Sequence, residues 1–304
     1  MQIGFAVPVS GAWATPANQV EVARRAEDLG YHSLWTLQRL LNPADSTDLT
    51  YRDVPDPLVT LAYLAGLTER IRLGVAIVNL PFVAPPLLAK QAATLDHVSG
   101  GRLDLGLGTG WMPAEFAAAG TPMARRGARA DEFLAVLRTL WTDEVSEFHG
   151  EFYDFPPVVM EPKPVQKPGP PVLLGGGAEG ALRRAGRLAA GWVSSSRADL
   201  GDLGRSIGIV REAAEQAGRD PGALRFVCRG AVRIHADAAS APDRPPLTGT
   251  IGQVRDDFGL LAEQGVTELF VDLNFDARLT GPDADPAASM DRAREALEAF
   301  APKP

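Results

Sequence analysis

Hydrophobic and polar positions alternate in two registers along the chain, and the registers take turns from one end to the other. Short apolar runs predict strands at residues 2–7, 33–36, 71–78, 102–108, 172–174, 191–194, 224–234 and 268–272. Longer amphipathic runs predict helices at 18–29, 57–67, 85–98, 128–141, 179–188, 200–216, 251–264 and 289–300. Gly30, Gly218 and Gly265 follow three of these helices, where glycine takes the positive φ that ends a helix. Strands separated by helices run parallel, because each crossover returns the chain to the same edge. Eight such pairs predict an α/β fold, the (β/α)8 TIM barrel, as a single domain over residues 1–304. A doubly wound open sheet would need Gly-x-Gly-x-x-Gly between its first strand and helix. Val9-Ser10-Gly11-Ala12-Trp13 does not supply it.

Two insertions interrupt the alternation. Residues 144–155 (EVSEFHGEFYDF) read as a β-hairpin turning at His149-Gly150, followed by a Pro-rich extended passage at 156–171. Residues 236–250, with Pro242, Pro245 and Pro246, read as an irregular loop. Loops of this length act as lids or binding loops. Both are expected at the C-terminal face of the barrel, where barrel chemistry sits, although the hairpin could equally build an interface.

Composition narrows the class. The 304 residues are 45% hydrophobic and 22% charged, as in ordinary globular chains. No apolar run reaches membrane-spanning length. The N-terminus opens directly on a strand without the basic and apolar regions of a signal peptide, so a cytoplasmic location is expected. One cysteine, Cys228, precludes an internal disulfide and reads as a small buried hydrophobe. A net charge of −8 without a basic block argues against nucleic acid as a partner.

Three stretches carry candidate chemistry. In Ser99-Gly-Gly-Arg-Leu-Asp-Leu-Gly-Leu-Gly-Thr-Gly-Trp111, a strand with Leu103, Leu105 and Leu107 alternating against small or polar residues opens into Thr109-Gly110-Trp111. Such loss of side-chain bulk admits a flat or phosphorylated ligand, or only answers the sterics of a tight barrel. In Val172-Leu-Leu-Gly175-Gly176-Gly177-Ala178-Glu179, a strand passes through three glycines into a helix. Its free N–H groups and positive dipole end suit a phosphate. Asn79 ends an apolar strand, where its amide could meet the edge of a heterocycle or cap a loop. Of the four histidines only His235 is expected near a barrel mouth, and no pair has metal-ligand spacing, so no metal is expected. A phosphate cradle with few acid–base groups implies that a bound cofactor does the chemistry.

SGGRLDLGLGTGWMPAEF, the PLLAKQAATLDHVSGG run before it and VLLGGGAEGALRRAGRLAAGW together resemble the bacterial luciferase-like superfamily. GWVSSSRADLGDL, AGRDP and TELFVDLNFD resemble its F420-dependent branch. The resemblance implies a (β/α)8 barrel binding F420 or FMN at its C-terminal face, acting on a small-molecule substrate, often as a homodimer. It implies a cis peptide at Ala76-Ile77 behind the ring and contacts from Asn79, Thr109 and Gly110. It also implies a phosphate at Gly175, Gly176 and Gly177. The Asp-His of sugar-phosphate dehydrogenases in this superfamily is missing, since Trp35-Thr36-Leu37 runs into Gln38-Arg39, and Trp111 replaces their acidic partner. The expected reading is therefore an F420-dependent oxidoreductase. In it Arg39 stabilises an anion, Glu115 donates a proton, and Trp35 and Trp111 wall the substrate pocket. Lys163, Lys167, Arg183 and Arg184 are expected to form a basic rim for the glutamyl tail of F420. An FMN-dependent monooxygenase fed by a partner reductase and a non-catalytic flavin-binding barrel are the alternatives.

Overall fold

The computed structural model describes residues 1–46, 51–237 and 244–302, so Pro242 lies outside the described residues. In chain order the first half comprises β1 (Gln2–Ala6), α1 (Pro16–Asp28), β2 (Ser33–Thr36), α2 (Pro57–Ala65), β3 (Arg72–Asn79) and α3 (Pro85–Val98). Then come β4 (Leu103–Gly108), α4 (Pro113–Ala118), α5 (Arg126–Thr142), β5 (Ser146–His149) and β6 (Asp154–Val158). The second half comprises β7 (Val172–Gly175), α6 (Glu179–Leu188), β8 (Gly191–Val193), α7 (Leu203–Gln216) and β9 (Arg225–Ala231). It closes with β10 (Arg233–Ile234), β11 (Thr248–Gly249), α8 (Ile251–Glu263), β12 (Glu268–Asp272), α9 (Ala277–Thr280) and α10 (Pro286–Phe300).

Eight strands close a parallel barrel in the order β1-β12-β9-β8-β7-β4-β3-β2, the predicted (β/α)8 architecture. Helix starts follow their capping residues. Thr15 accepts from the Asn18 N–H ahead of Pro16, Asp56 accepts from the Val59 N–H ahead of Pro57, and Thr250 with Gln253 forms a reciprocal capping box.

The barrel interior is built in two levels. At the N-terminal end of the strands, Asp104 takes bidentate hydrogen bonds from Arg72 (2.8 and 2.7 Å) and further bonds from Arg225 (2.6 and 3.1 Å). Arg225 also reaches Glu268 at 2.7 Å, and Ser33 Oγ donates to the same carboxylate at 2.6 Å. Trp35 lies on this polar layer. Its Nε1–H reaches Ser33 Oγ (2.8 Å) and Glu268 (3.0 Å), and its ring stacks on Phe270 at 5.0 Å. Gly74 makes room for the indole, because a Cβ there would stand 2.5 Å from Trp35 Cε3. Trp35 is therefore barrel core and does not wall a pocket, contrary to the sequence expectation.

Above it, the Ala76–Ile77 peptide is cis, and the β3–β4 register shifts between Val75 and Val78. The glycines of β4 answer this irregularity. A Cβ on Gly106 would stand 2.1 Å from Val75 O, and one on Gly108 would stand 2.3 Å from Ile77 Cδ1. The bulk missing from β4 is thus filled by β3, and the steric explanation holds for these two positions.

The hairpin forms from β5 and β6, but its connection runs over residues 150–153 and not at His149-Gly150. The Glu132 carboxylate accepts the N–H groups of Glu151, Phe152 and Tyr153 and fixes that turn. Its root also differs from expectation, for it interrupts the connection between α5 and β7 and does not leave the end of a barrel strand. Its tip nevertheless reaches the start of α5, where Glu151 pairs with Arg125. No helix among the described residues is long and apolar enough to cross a membrane.

Candidate active site

A cavity of about 510 Å³ opens at the C-terminal ends of the strands. Its floor is Ala76 and Ile77 of β3, and Gly108, Thr109, Gly110 and Trp111 form one side. Gly175, Gly176, Gly177 and Ala178 form the opposite side, between β7 and α6. The β2 end contributes Gln38 and Arg39, the β8 end contributes Ser194, Ser195, Ser196 and Arg197, and β9 contributes Arg229. Of the twelve residues expected to bind the cofactor ring and phosphate or to serve the substrate, ten thus converge on one cavity, and Trp35 and Glu115 do not.

The glycine turn has the properties of an anion site. Ala178 caps α6 without a side-chain hydrogen bond. The N–H groups of Gly177, Ala178, Glu179 and Gly180 have no acceptor among the described residues, as expected at a helix start left for a ligand. Gly176 has φ +119°, and a Cβ there would meet Ala181 Cβ at 2.9 Å. Gly177 faces open space, with nothing within 4 Å of an added Cβ. Glu179 turns away to pair with Arg183 at 2.8 Å, so its charge does not face the turn.

Arg126, first residue of α5, lines the cavity with this turn, and its guanidinium has no hydrogen-bonding or ionic partner among the described residues. Sequence reasoning missed it, because it stands in an arginine-rich stretch with no distinguishing pattern. The basic rim expected from other residues is not there. Lys163 donates to the Leu140 and Asp143 carbonyls, and Lys167 stands with Trp141 and Arg219 near the foot of β7. Arg183 pairs with Glu179, and Arg184 with Asp131.

Arg39 and Glu115 pair with each other. Arg39 Nη1 donates to Glu115 Oε2 at 2.9 Å, and the Leu40 N–H donates to Oε1 at 2.9 Å. Both carboxylate oxygens are engaged and the side chain is buried, so Glu115 does not face a substrate. Arg39 instead presents its flat face, 4.3 Å from the Tyr51 ring centroid and 5.1 Å from that of Trp111. Arg197 stands 5.4 Å from the Trp111 ring, and Tyr51 Oη is 3.4 Å from Ser196 Oγ. Two contacts therefore cross the mouth, tying the β2 and β4 loops to the β8 loop. Asn79 lines the floor while its Nδ2 donates to Gln38 Oε1 at 3.2 Å.

Arg229 was legible in principle as the lone charge in the apolar run FVCRGAV, yet it went unread. Its Nη2 donates to the carbonyl of Ala76 at 2.8 Å, and its Nε lies 3.2 Å from Asp272 Oδ2. Burial drives the Asp272 carboxyl above the usual carboxylate range against the opposing pull of Arg229. His235 lies outside both the cavity and its rim, 3.5 Å from Arg278. Among the described residues no group of three His, Cys, Asp or Glu could hold a metal ion.

These features define a class: a (β/α)8 barrel whose C-terminal face offers a flat floor, a glycine turn of unbonded N–H groups at a helix start and a cationic lining. The chain belongs to the luciferase-like monooxygenase family, whose model matches residues 2–300. It is 33% identical over 295 residues to the uncharacterized protein Rv0940c of Mycobacterium tuberculosis, covering 93% of this chain and 92% of that protein. A shorter stretch of 134 residues is 37% identical to the FMNH(2)-dependent dimethylsulfone monooxygenase of Pseudomonas putida, over 43% of this chain and 37% of that one. Among solved structures, the monooxygenase RslO1 of Streptomyces bottropensis superimposes with a TM-score of 0.80 at 24% identity, covering 99% of this chain and 98% of that one. The F420-dependent tetrahydromethanopterin reductase of Methanopyrus kandleri gives 0.77 at 18%, covering 99% and 97%. At these identities the two structures speak for the fold alone.

Proposed function

We propose that this chain is an F420-dependent oxidoreductase that moves a hydride between the cofactor C5 carbon and a small organic substrate. One observation carries the reading. In a chain of net charge −8, the cavity is lined by Arg39, Arg126, Arg197 and Arg229 and, among the described residues, by no carboxylate or histidine. F420 carries a phosphate and several carboxylates beyond it, whereas FMN carries a phosphate alone, so F420 makes more use of such a lining.

The cavity fits the group. The Gly175-Gly176-Gly177 amides and Arg126 would hold the phosphate, Ile77 would support one face of the ring, and Asn79, Thr109 and Gly110 would meet its edge. Bound there, F420 supplies a two-electron hydride carrier. Trp111 and Tyr51 exclude water from the mouth, and the Arg39–Glu115 pair holds both aromatic rings in position. With Glu115 committed elsewhere, Tyr51 Oη is the lining group suited to hold or release a proton at a substrate oxygen, with Ser196 Oγ beside it.

Titration of the purified protein with F420 and with FMN tests the reading. We expect tighter F420 binding that weakens with added salt. Gly177→Asp, which meets no steric barrier, is expected to weaken F420 binding at least tenfold at unchanged Tm by setting a like charge against the phosphate. An unchanged Kd overturns the phosphate assignment. Tight FMN binding without F420 binding favours the monooxygenase fed by a partner reductase, in line with the name of the Pseudomonas putida relative. Exposed Val59 and Tyr63 on α2 and Leu87 on neighbouring α3 support pairing with a second copy, which light scattering would register as a doubled mass.

A further inference from the structure

A second chamber, of about 360 Å³, adjoins the first and shares Tyr51, Ser196, Arg197 and Arg229 with it. The Tyr51–Ser196 contact stands on the boundary between them. Away from that boundary the smaller chamber has an apolar side, with Leu200, Pro245, Pro246 and Phe275, and a polar side led by Arg233.

Arg233 is turned toward this space by local structure. Its neighbours Val232 and Ile234 are buried, so strand alternation sends Arg233 to the other side. Its N–H donates to Leu247 O at 2.9 Å, and β10 pairs with β11 through Arg233 and Thr248. The main chain beneath it is therefore fixed. Its guanidinium has no hydrogen-bonding or ionic partner among the described residues. The other charges are accounted for differently. Arg229 is answered by Asp272 at 3.2 Å and by the Ala76 carbonyl, and Asp199 has its Oδ1 engaged by the Gly201 N–H at 2.9 Å. Three arginines against one carboxylate leave the lining cationic, and Arg233 is the exposed guanidinium there that has no partner among the described residues.

We propose that the smaller chamber recognises a carboxylate, with Arg233 as its anchor, and that the substrate is an organic acid. Its apolar body lies against Pro245, Pro246 and Phe275, and its reacting carbon extends past Tyr51 into the larger cavity. A single guanidinium fork matches a planar carboxylate through two parallel hydrogen bonds. The apolar side makes the chamber unsuited to a fully hydrated anion. The substrate assignment rests on the reading of the larger cavity as the cofactor site, but the carboxylate site does not.

A second source of carboxylates is the glutamyl tail of F420, so the test has two arms. In the first, a panel of aliphatic and aromatic monocarboxylic acids of three to nine carbons, each with its primary amide as control, is titrated calorimetrically into cofactor-free and F420-saturated protein. We expect acids to bind and amides not to bind, with Arg233→Ala weakening the best acid at least tenfold at unchanged Tm. Arg233→Lys is expected to recover part of that loss. No acid binding to the wild type, or equal binding to Arg233→Ala, overturns the proposal. In the second arm, F420 bearing glutamates and F420 lacking them are compared on wild type and Arg233→Ala. We expect Arg233→Ala to leave both Kd values unchanged. Selective weakening of the glutamylated form would overturn the assignment to substrate. Failure of F420 to bind at all would sink the cofactor reading while the acid titrations on cofactor-free protein still decide the carboxylate site.

Discussion

Replacing Glu115 by alanine tests whether the Arg39–Glu115 pair is the structural pin of the mouth. Both side chains are almost fully buried, at 5% and 1% exposure. The substitution leaves the guanidinium without its 2.9 Å partner in a site where Arg39 Nε already has no acceptor among the described residues, and strips the Leu40 N–H of its own. Breaking a buried pair by removing one member costs about 3–5 kcal/mol, chiefly from the charge left behind. At about 2–4 °C per kcal/mol for chains approaching this size, the Tm should fall by roughly 6–20 °C. Urea unfolding of wild type, Glu115→Leu, Arg39→Met and the Arg39→Met/Glu115→Leu double variant supplies the full cycle, with Glu115→Ala measured beside it. The double variant carries no buried charge and should lie within about 2 kcal/mol of wild type, well above Glu115→Ala. A loss below about 1 kcal/mol for Glu115→Ala would show that water solvates Arg39 readily, and the reasoning from burial would fail. A double variant no more stable than Glu115→Ala would refute the explanation by uncompensated charge.

Burial alone would raise the Asp104 carboxyl, but hydrogen bonds from Arg72 and Arg225 hold it below the usual carboxylate range. A pKa depressed on folding contributes stability that is present above the unfolded value and lost as pH falls through the folded one. Stability should therefore drop as pH falls below about 4, and Asp104→Asn should flatten that acid limb in pH-dependent urea melts. Burial pushes the Cys228 thiol up to about 12, so it should resist a thiol reagent in the native protein and react once urea unfolds the chain. Gly106→Ala should destabilise more than Gly108→Ala, because its Cβ meets the Val75 carbonyl at 2.1 Å whereas Gly108 meets only the movable tip of Ile77. Equal melting temperatures for the two would refute that distinction.

The fold was open to reading because its signals are local. Apolar runs of strand length, capping residues such as Thr15 and Asp56, and helix-ending glycines act within a few residues of one another. Their alternation permitted one closed architecture. The glycine turn at residues 175–177 was legible for the same reason, since a strand, a turn and a helix start are contiguous in the chain.

Side-chain roles were less legible. Trp35 and Arg39 lie four residues apart, and nothing local says that one points into the core and the other to the mouth. That depends on Ser33, Phe270 and Glu268 beneath the first, and on Glu115 and Tyr51 around the second. Charge suffers the same ambiguity. A sequence gives the number of arginines, but their availability depends on which carboxylates the fold brings within a few ångströms. Arg183 and Arg184 are paired with carboxylates, while Arg126 and Arg233 face cavities without a partner among the described residues. By itself the sequence determined the order of strands and helices, the closed barrel and the glycine turn from strand to helix start, because backbone propensity and periodicity are short-range. Only the tertiary structure decided which charges cancel and which remain for a ligand, because ion pairing depends on distance in space, and residues 39 and 115 are neighbours only once the barrel has closed.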